Sequence, residues 1–229
     1  MSAPIHLRPT AELAERVLLP GDPHRALAVA QVVLEQPRMF NHTRGLWGYT
    51  GTARDGALLS VQSTGMGGPS AAIVAEELID LGARTLVRIG TCGSLVAEVE
   101  LGELVVAREV LGADGTSAAL SEAGRFAADP VLTLALERAG ARPVTAVSTD
   151  VFYERRAQLA REWVHAGAEV VEMEAATLLA VAAHRGARAA VLLAVSDSLQ
   201  GGERQRLDLE EVEAAGVRLG EAAWAALAE

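Results

Sequence analysis

Thr85-Leu86-Val87-Arg88-Ile89-Gly90-Thr91-Cys92-Gly93-Ser94 is the stretch on which the fold of this chain turns. The apolar run 86–89, bounded at once by small residues, predicts a short buried strand. Small residues at a strand's carboxyl end leave backbone N–H groups and a hydroxyl free, and in open α/β sheets ligands sit there. Arg88 is out of place in such a run, because a buried guanidinium is costly without an anion beside it. Arginine also suits planar recognition of phosphate. These ten residues alone leave phosphate and a structural carboxylate as equal candidates.

Working outward, 229 residues suit one large α/β domain spanning 1–229. Hydrophobic residues make up 50% and aromatics only 3%, so the core is expected to be small aliphatic side chains packed helix on sheet. A net charge of −10 with no basic stripe argues against nucleic acid as a partner. The single cysteine, Cys92, excludes an internal disulfide and fits a reducing cytoplasm. Residues 1–9 carry no apolar leader segment, and the apolar span 175–196 is broken by His184, Arg185 and Arg188, so no membrane helix is expected. All 20 basic residues counted as Lys or Arg are arginines. Schiff-base, pyridoxal and Walker-type phosphate chemistry all need a lysine and are excluded. Any phosphate must be held by arginine, backbone or hydroxyl. The five histidines have no ligand spacing, so no metal is expected.

The order of elements predicts a mainly parallel α/β sheet with helices on both faces. A strand over 17–19 runs into Pro20-Gly21-Asp22-Pro23-His24-Arg25, a turn opening a helix and carrying a cation, which favours an anion. Strands over 47–52 and 57–62 flank Arg54-Asp55-Gly56, a hairpin signal. The polar loop 41–45 before them holds Arg44, which nothing nearby explains. Residues 63–70 form a glycine turn opening a helix to about Leu81; it lacks the last glycine and the acidic partner of a dinucleotide fingerprint. Met66 in that turn would be an apolar wall for a ligand or a gap filler. A strand over 104–107 precedes a loop over 111–128, and Asp129-Pro130 starts a helix to about Ala139. A strand over 144–149 leads through Phe152 into a helix ending near Val164. Val170-Val171-Glu172-Met173-Glu174 is a strand ending in two carboxylates, able to cap the next helix or to clamp a diol. A last strand, 190–195, is followed by Ser196-Asp197, and 207–227 closes the chain as an amphipathic helix.

Residues 20–25, 41–52, 63–70, 88–93, 171–176 and 195–197 together resemble the nucleoside phosphorylases of the hexameric bacterial type, in order and spacing, from about His6 to Arg204. Val171 to Ala176 and Ser196-Asp197 are similar to the purine branch, whereas Ser63-Thr64-Gly65 and Thr91 are similar to the uridine branch. The resemblance implies a three-layer α/β/α fold with a mainly parallel mixed sheet. It implies phosphorolysis of a nucleoside to free base and pentose 1-phosphate, with phosphate as co-substrate and no cofactor. Phosphate would lie against Gly21, Arg25, Arg88, Thr91 and a neighbouring subunit's Arg44. Ribose would lie against Met66, Glu172, Met173, Glu174 and the neighbour's His6. The base would lie near Phe152, Ser196 and Asp197, with Asp197 as general acid and Arg204 as its helper. A homohexamer, a trimer of dimers with each site shared across a dimer, is the implied assembly. Uridine as substrate, a nucleosidase that uses water, and a nonenzymatic small-molecule-binding module remain the competing readings.

Overall fold

Apolar residues alternate along the central strands, and the alternation sorts them onto two faces. A computed structural model describes residues 4–156, 158–198 and 205–228. In it, β1 (Arg16–Pro20) lies parallel to β5 (Thr85–Ser94), which lies parallel to β10 (Arg188–Ser198). Leu86, Val17, Leu19, Val191 and Leu193 point to one core. Val87, Leu18, Leu192 and Ala194 point to the other. A strand repeats every two residues, so a run apolar at every position must be covered on both sides. The first face is covered by α2 (Gly68–Asp80) and α6 (Ala175–Arg185). The second is covered by α1 (Pro23–Val33), α4 (Pro130–Arg138) and α7 (Leu209–Leu227). The result is the expected three-layer α/β/α arrangement.

The sheet is mixed and part of it closes on itself. Its order is β11-β10-β6-β8-β9-β5-β1-β4-β3-β2, and β10 also pairs with β5. Here β6 is Leu104–Ala113, β8 is Arg142–Thr149, β9 is Val170–Glu172 and β11 is Gln205–Arg206. Strands β5, β10, β6, β8 and β9 therefore form a ring. The remaining wing, β1 with β4 (Leu58–Gln62), β3 (Gly48–Ala53) and β2 (Leu34–Asn41), extends from β5. The β3–β4 hairpin turns at Asp55-Gly56, as its sequence indicates.

Several expected boundaries move. β5 does not stop at Ile89 but continues through Gly90 and Thr91 to Ser94, because β10 on one side and β9 on the other supply hydrogen-bonding partners. β10 likewise runs past Val195 to Ser198, with a register shift between Val195 and Asp197. The segment 111–128 is not a loop. β6 reaches Ala113, α3 occupies Gly115–Leu120, and β7 (Arg125–Ala127) pairs with β6. Asp114 holds this segment by accepting from the Ser117 N–H, the Ser117 hydroxyl and the Thr177 hydroxyl of α6. The polar stretch 41–45 belongs partly to β2, whose irregular pairing with β3 masks the strand pattern. The closing helix starts at Leu209, capped by Asp208 in a reciprocal pair with Glu211.

Candidate active site

Carboxyl ends of β1, β5, β8, β9 and β10, with the turn after β4, surround one cavity of about 430 Å³. Gly21, Arg25, Met66, Arg88, Thr91, Phe152, Glu172, Met173, Glu174, Ser196 and Asp197 all line it. Eleven residues singled out from scattered stretches thus meet in one place. His6 and Arg44 do not line it, and Arg204 lies outside the described residues.

The two glycine turns are joined. Thr64 and Gly65 donate their N–H groups to the carbonyls of Pro20 and Gly21. Gly65 and Gly67 both have positive φ, which lets this turn fold back on the corner after β1. Asp22 caps α1 by accepting from the Arg25 N–H at 2.8 Å, which fixes where the Arg25 side chain begins. The Arg25 stem lies against Gly216 of α7, where a methyl group would sit 3.2 Å from its Cγ. Among the described residues the Arg25 guanidinium has no hydrogen-bond partner. Burial lowers its pKa; Asp22 opposes that, and the nearby charge of Arg88 adds to it.

Arg88 is 4% exposed, yet it is ionised and paired. Its Nε donates to Glu172 Oε2 at 2.9 Å and its Nη2 pairs with Glu174. Burial works to lower its pKa, but Glu174 and Glu172 outweigh burial and hold it above the ordinary value. The carboxylate partners of Arg88 are thus present, and they do not use every nitrogen of its guanidinium. Two guanidinium nitrogens are occupied by carboxylates, while Nη1 is buried with no hydrogen-bond partner among the described residues. Unpaired buried donors of this kind are rare and call for a ligand atom or water. Gly90 makes the arrangement fit: a methyl group there would come within 2.8 Å of Arg88 Nη2 and 3.0 Å of its Cζ.

The two glutamates differ. Glu172 accepts from the Ser148 hydroxyl, Arg88, the Glu174 N–H and the Ala175 N–H. A carboxylate has about four acceptor sites, so its capacity is used up. Glu172 is a bracket that positions Arg88 and the start of α6 more than a group free to bind a diol. Among the described residues Glu174 accepts only the Gly67 N–H, at 2.5 Å, besides Arg88, so this cavity-lining carboxylate keeps acceptor capacity. Burial, above all, pushes its carboxyl above the ordinary range; Arg88 opposes that and Glu172 adds to it.

Asp197 sits where β10 is irregular, and such a bulge re-aims a side chain. It is 5% exposed, accepts from the Ser196 hydroxyl at 2.8 Å and pairs with Arg206 Nε at 2.9 Å. Arg206 was not legible as a site residue; it comes to Asp197 because β11 pairs antiparallel with β10. Ser148, Glu154 and Trp163 were missed as well. Ser148 acts through a carboxylate 24 residues away. Glu154 stands on the corner between β8 and α5 (Leu159–His165) and Trp163 lies within α5, and composition alone aims neither.

His6 is tied within its own chain, its Nδ1 2.7 Å from Glu77 Oε1, while Glu77 also accepts the N–H groups of Ile5, His6 and Leu7. Arg44 is exposed, has φ of 58° and forms no ion pair among the described residues. No described cluster of His, Cys, Asp or Glu has the makings of a metal site. No described helix is long and apolar enough to cross a membrane.

An α/β sheet with an arginine-lined, carboxylate-bearing cavity at its strand ends has the arrangement of a small-molecule site. The chain belongs to the phosphorylase superfamily, whose family model matches residues 15–229. Among its relatives is a DeoD-type purine nucleoside phosphorylase of Roseobacter denitrificans, 38% identical over 212 residues, covering 89% of this chain and 90% of the relative. Another, from Jannaschia sp., is 40% identical over 197 residues, covering 82% and 84%. One from Geobacillus kaustophilus is 39% identical over 204 residues, covering 85% of each.

Proposed function

We propose that this protein is a purine-nucleoside phosphorylase: purine (deoxy)nucleoside and inorganic phosphate give free base and (deoxy)ribose 1-phosphate. The observation that carries this is the pair Arg25 and Arg88, two cavity arginines of which, among the described residues, one guanidinium has no hydrogen-bond partner and the other keeps a buried nitrogen without one. The names of the relatives support the purine base.

Phosphate lies against Arg25, Arg88, Thr91 and the Gly21 backbone. A phosphate oxygen forms the bond to C1′ as the C1′–N9 bond breaks, and the electron pair leaves with the purine. Glu174 accepts from the sugar hydroxyls, with Met66 and Met173 as apolar walls. Asp197, in its protonated form, donates to N7 and stabilises the departing purine. Phe152 flanks the base, and Arg206 stands by the acid. Arg44 and His6 reach the site of a neighbouring subunit in a trimer of dimers. An exposed Arg44 on a left-handed backbone, with no ion pair among the described residues, supports that role. No cofactor takes part, and the reaction runs in the cytoplasm. Release of hypoxanthine from inosine, followed by absorbance with and without phosphate, tests the proposal. Release that saturates with phosphate is expected; release at the same rate in phosphate-free buffer contradicts it.

A further inference from the structure

Ser148 is fully buried near the carboxyl end of β8 and does not line the cavity, yet its hydrogen bonds lead to the arginine expected to hold phosphate. In the parallel pairing of β8 with β9 it stands opposite Glu172. Its oxygen accepts the Ala176 N–H, in the first turn of α6, at 2.8 Å. A hydroxyl has a single proton, and an N–H cannot accept it, so that proton goes to Glu172 Oε1. Glu172 Oε2 in turn accepts Arg88 Nε at 2.9 Å. The other donors to this carboxylate are backbone groups at the start of α6. The Glu174 N–H reaches Oε2 at 2.9 Å, and the Ala175 N–H is shared between Oε1 at 2.9 Å and Oε2 at 3.0 Å. Apart from Arg88, Ser148 is thus the one described partner of Glu172 that comes from outside that helix start.

We infer that Ser148 is a positioning residue for phosphate: it holds the Glu172 carboxylate so that Arg88 keeps its aim, and part of its charge, for the dianion. This rests on the phosphorylase reading. Two effects act in the same direction. The first is geometric. A carboxylate turns easily about its terminal torsion. Ser148 pins Oε1 and so leaves Oε2 to Arg88. Without the hydroxyl, only the N–H groups of residues 174 and 175 remain besides Arg88, and the shared Ala175 N–H can pass to either oxygen. Arg88 then loses a fixed partner on Nε, and its buried, unpartnered Nη1 loses its direction. Small misplacements of a binding group are costly. The second effect is electrostatic. The hydroxyl and the N–H groups at the positive end of α6 both draw on the charge of Glu172. A Glu172 deprived of Ser148 leans more fully on Arg88 and leaves less of the guanidinium's charge for phosphate. Neither effect acts on the sugar or the base directly, because the hydrogen bonds of Ser148 reach the cavity only through Glu172.

The test measures the Kd of inorganic phosphate by calorimetry, and the KM values of phosphate and inosine, in the wild type, Ser148→Ala and Ser148→Cys. In Ser148→Ala the Kd and KM for phosphate should rise by at least about fivefold, while the KM for inosine stays within about twofold. The thiol of Ser148→Cys is a weaker donor of similar size, so this variant should fall between the two, and it carries the comparison if the alanine chain does not fold. Thr177→Ala is the control for packing, since Thr177 follows Ala176 in α6 and donates to Asp114 at 2.9 Å rather than to Glu172. It should lower the melting temperature and leave the phosphate Kd within about twofold. A phosphate Kd unmoved within about twofold in Ser148→Ala, or in Ser148→Cys where that chain is the one measured, overturns the inference. An equal rise in both KM values overturns it too, as does a rise of the same size in Thr177→Ala. Each of these leaves the phosphorylase reading intact. A wild type that binds phosphate without consuming it overturns that reading alone, and one that binds no phosphate overturns both.

Discussion

At the residue scale, the site depends on a guanidinium folded back along its own strand. Arg88 and Gly90 share a face of β5, and the missing side chain of Gly90 is the space that Arg88 occupies. Gly90→Ala keeps the strand and pushes the guanidinium out of place. The expected result is a KM for phosphate raised by at least about tenfold, with a smaller change in the KM for nucleoside. Equal changes in both would show that the substitution perturbs the cavity at large. The oddity of Arg88 was legible in ten residues. Its partners were not, because Glu172 lies 84 residues away and only the pairing of β5 with β9 brings the two together.

At the element scale, helix ends carry much of the arrangement. Asp129 caps α4 by accepting from the N–H groups of Val131 and Leu132, and it pairs with Arg188 at the start of β10. Asp129→Ala should lower stability by about 0.5–2 kcal/mol, mainly as a lost cap, since the Arg188 side chain is 48% exposed and its charge is screened. Arg188 first, then the helix N–H groups against the opposing effect of burial, hold the Asp129 carboxyl below its ordinary value. A depressed folded-state value gives stability that is complete above the unfolded value near 3.8 and fades as pH falls through the folded one. Wild type and variant should thus differ in chemical denaturation at neutral pH and converge as the pH falls through the lowered folded-state value. A constant gap across that range would remove the ionised cap from the account. The Asp129-Pro130 start was readable because capping is local chemistry. The strand ends were not: β5, β6 and β10 each run past their apolar run because neighbouring strands continue to pair with them. The segment 111–128 has loop-like composition, but Asp114 ties it to α6 through Thr177, a partner 63 residues distant.

At the scale of the whole molecule, four strands of the closed ring, with β1 beside them, bring their carboxyl ends around one cavity, and two expected ligands remain outside it. His6 is held by Glu77, and Arg44 points to solvent without a partner among the described residues. If sites are shared, Arg44→Ala and Arg88→Ala are each nearly inactive alone, while coexpressed chains regain activity in those sites that draw one intact arginine from each. Mixed assemblies, confirmed by mass, that are no better than the separate variants would confine Arg44 to its own chain or remove it from the site. The central claim is that phosphate becomes part of the product. It is tested most directly by ³¹P nuclear magnetic resonance of the protein with guanosine and inorganic phosphate. The account predicts that the phosphate signal declines as a pentose 1-phosphate signal grows, mole for mole with free guanine. Guanine released alongside free ribose, with the phosphate signal unchanged, would contradict it.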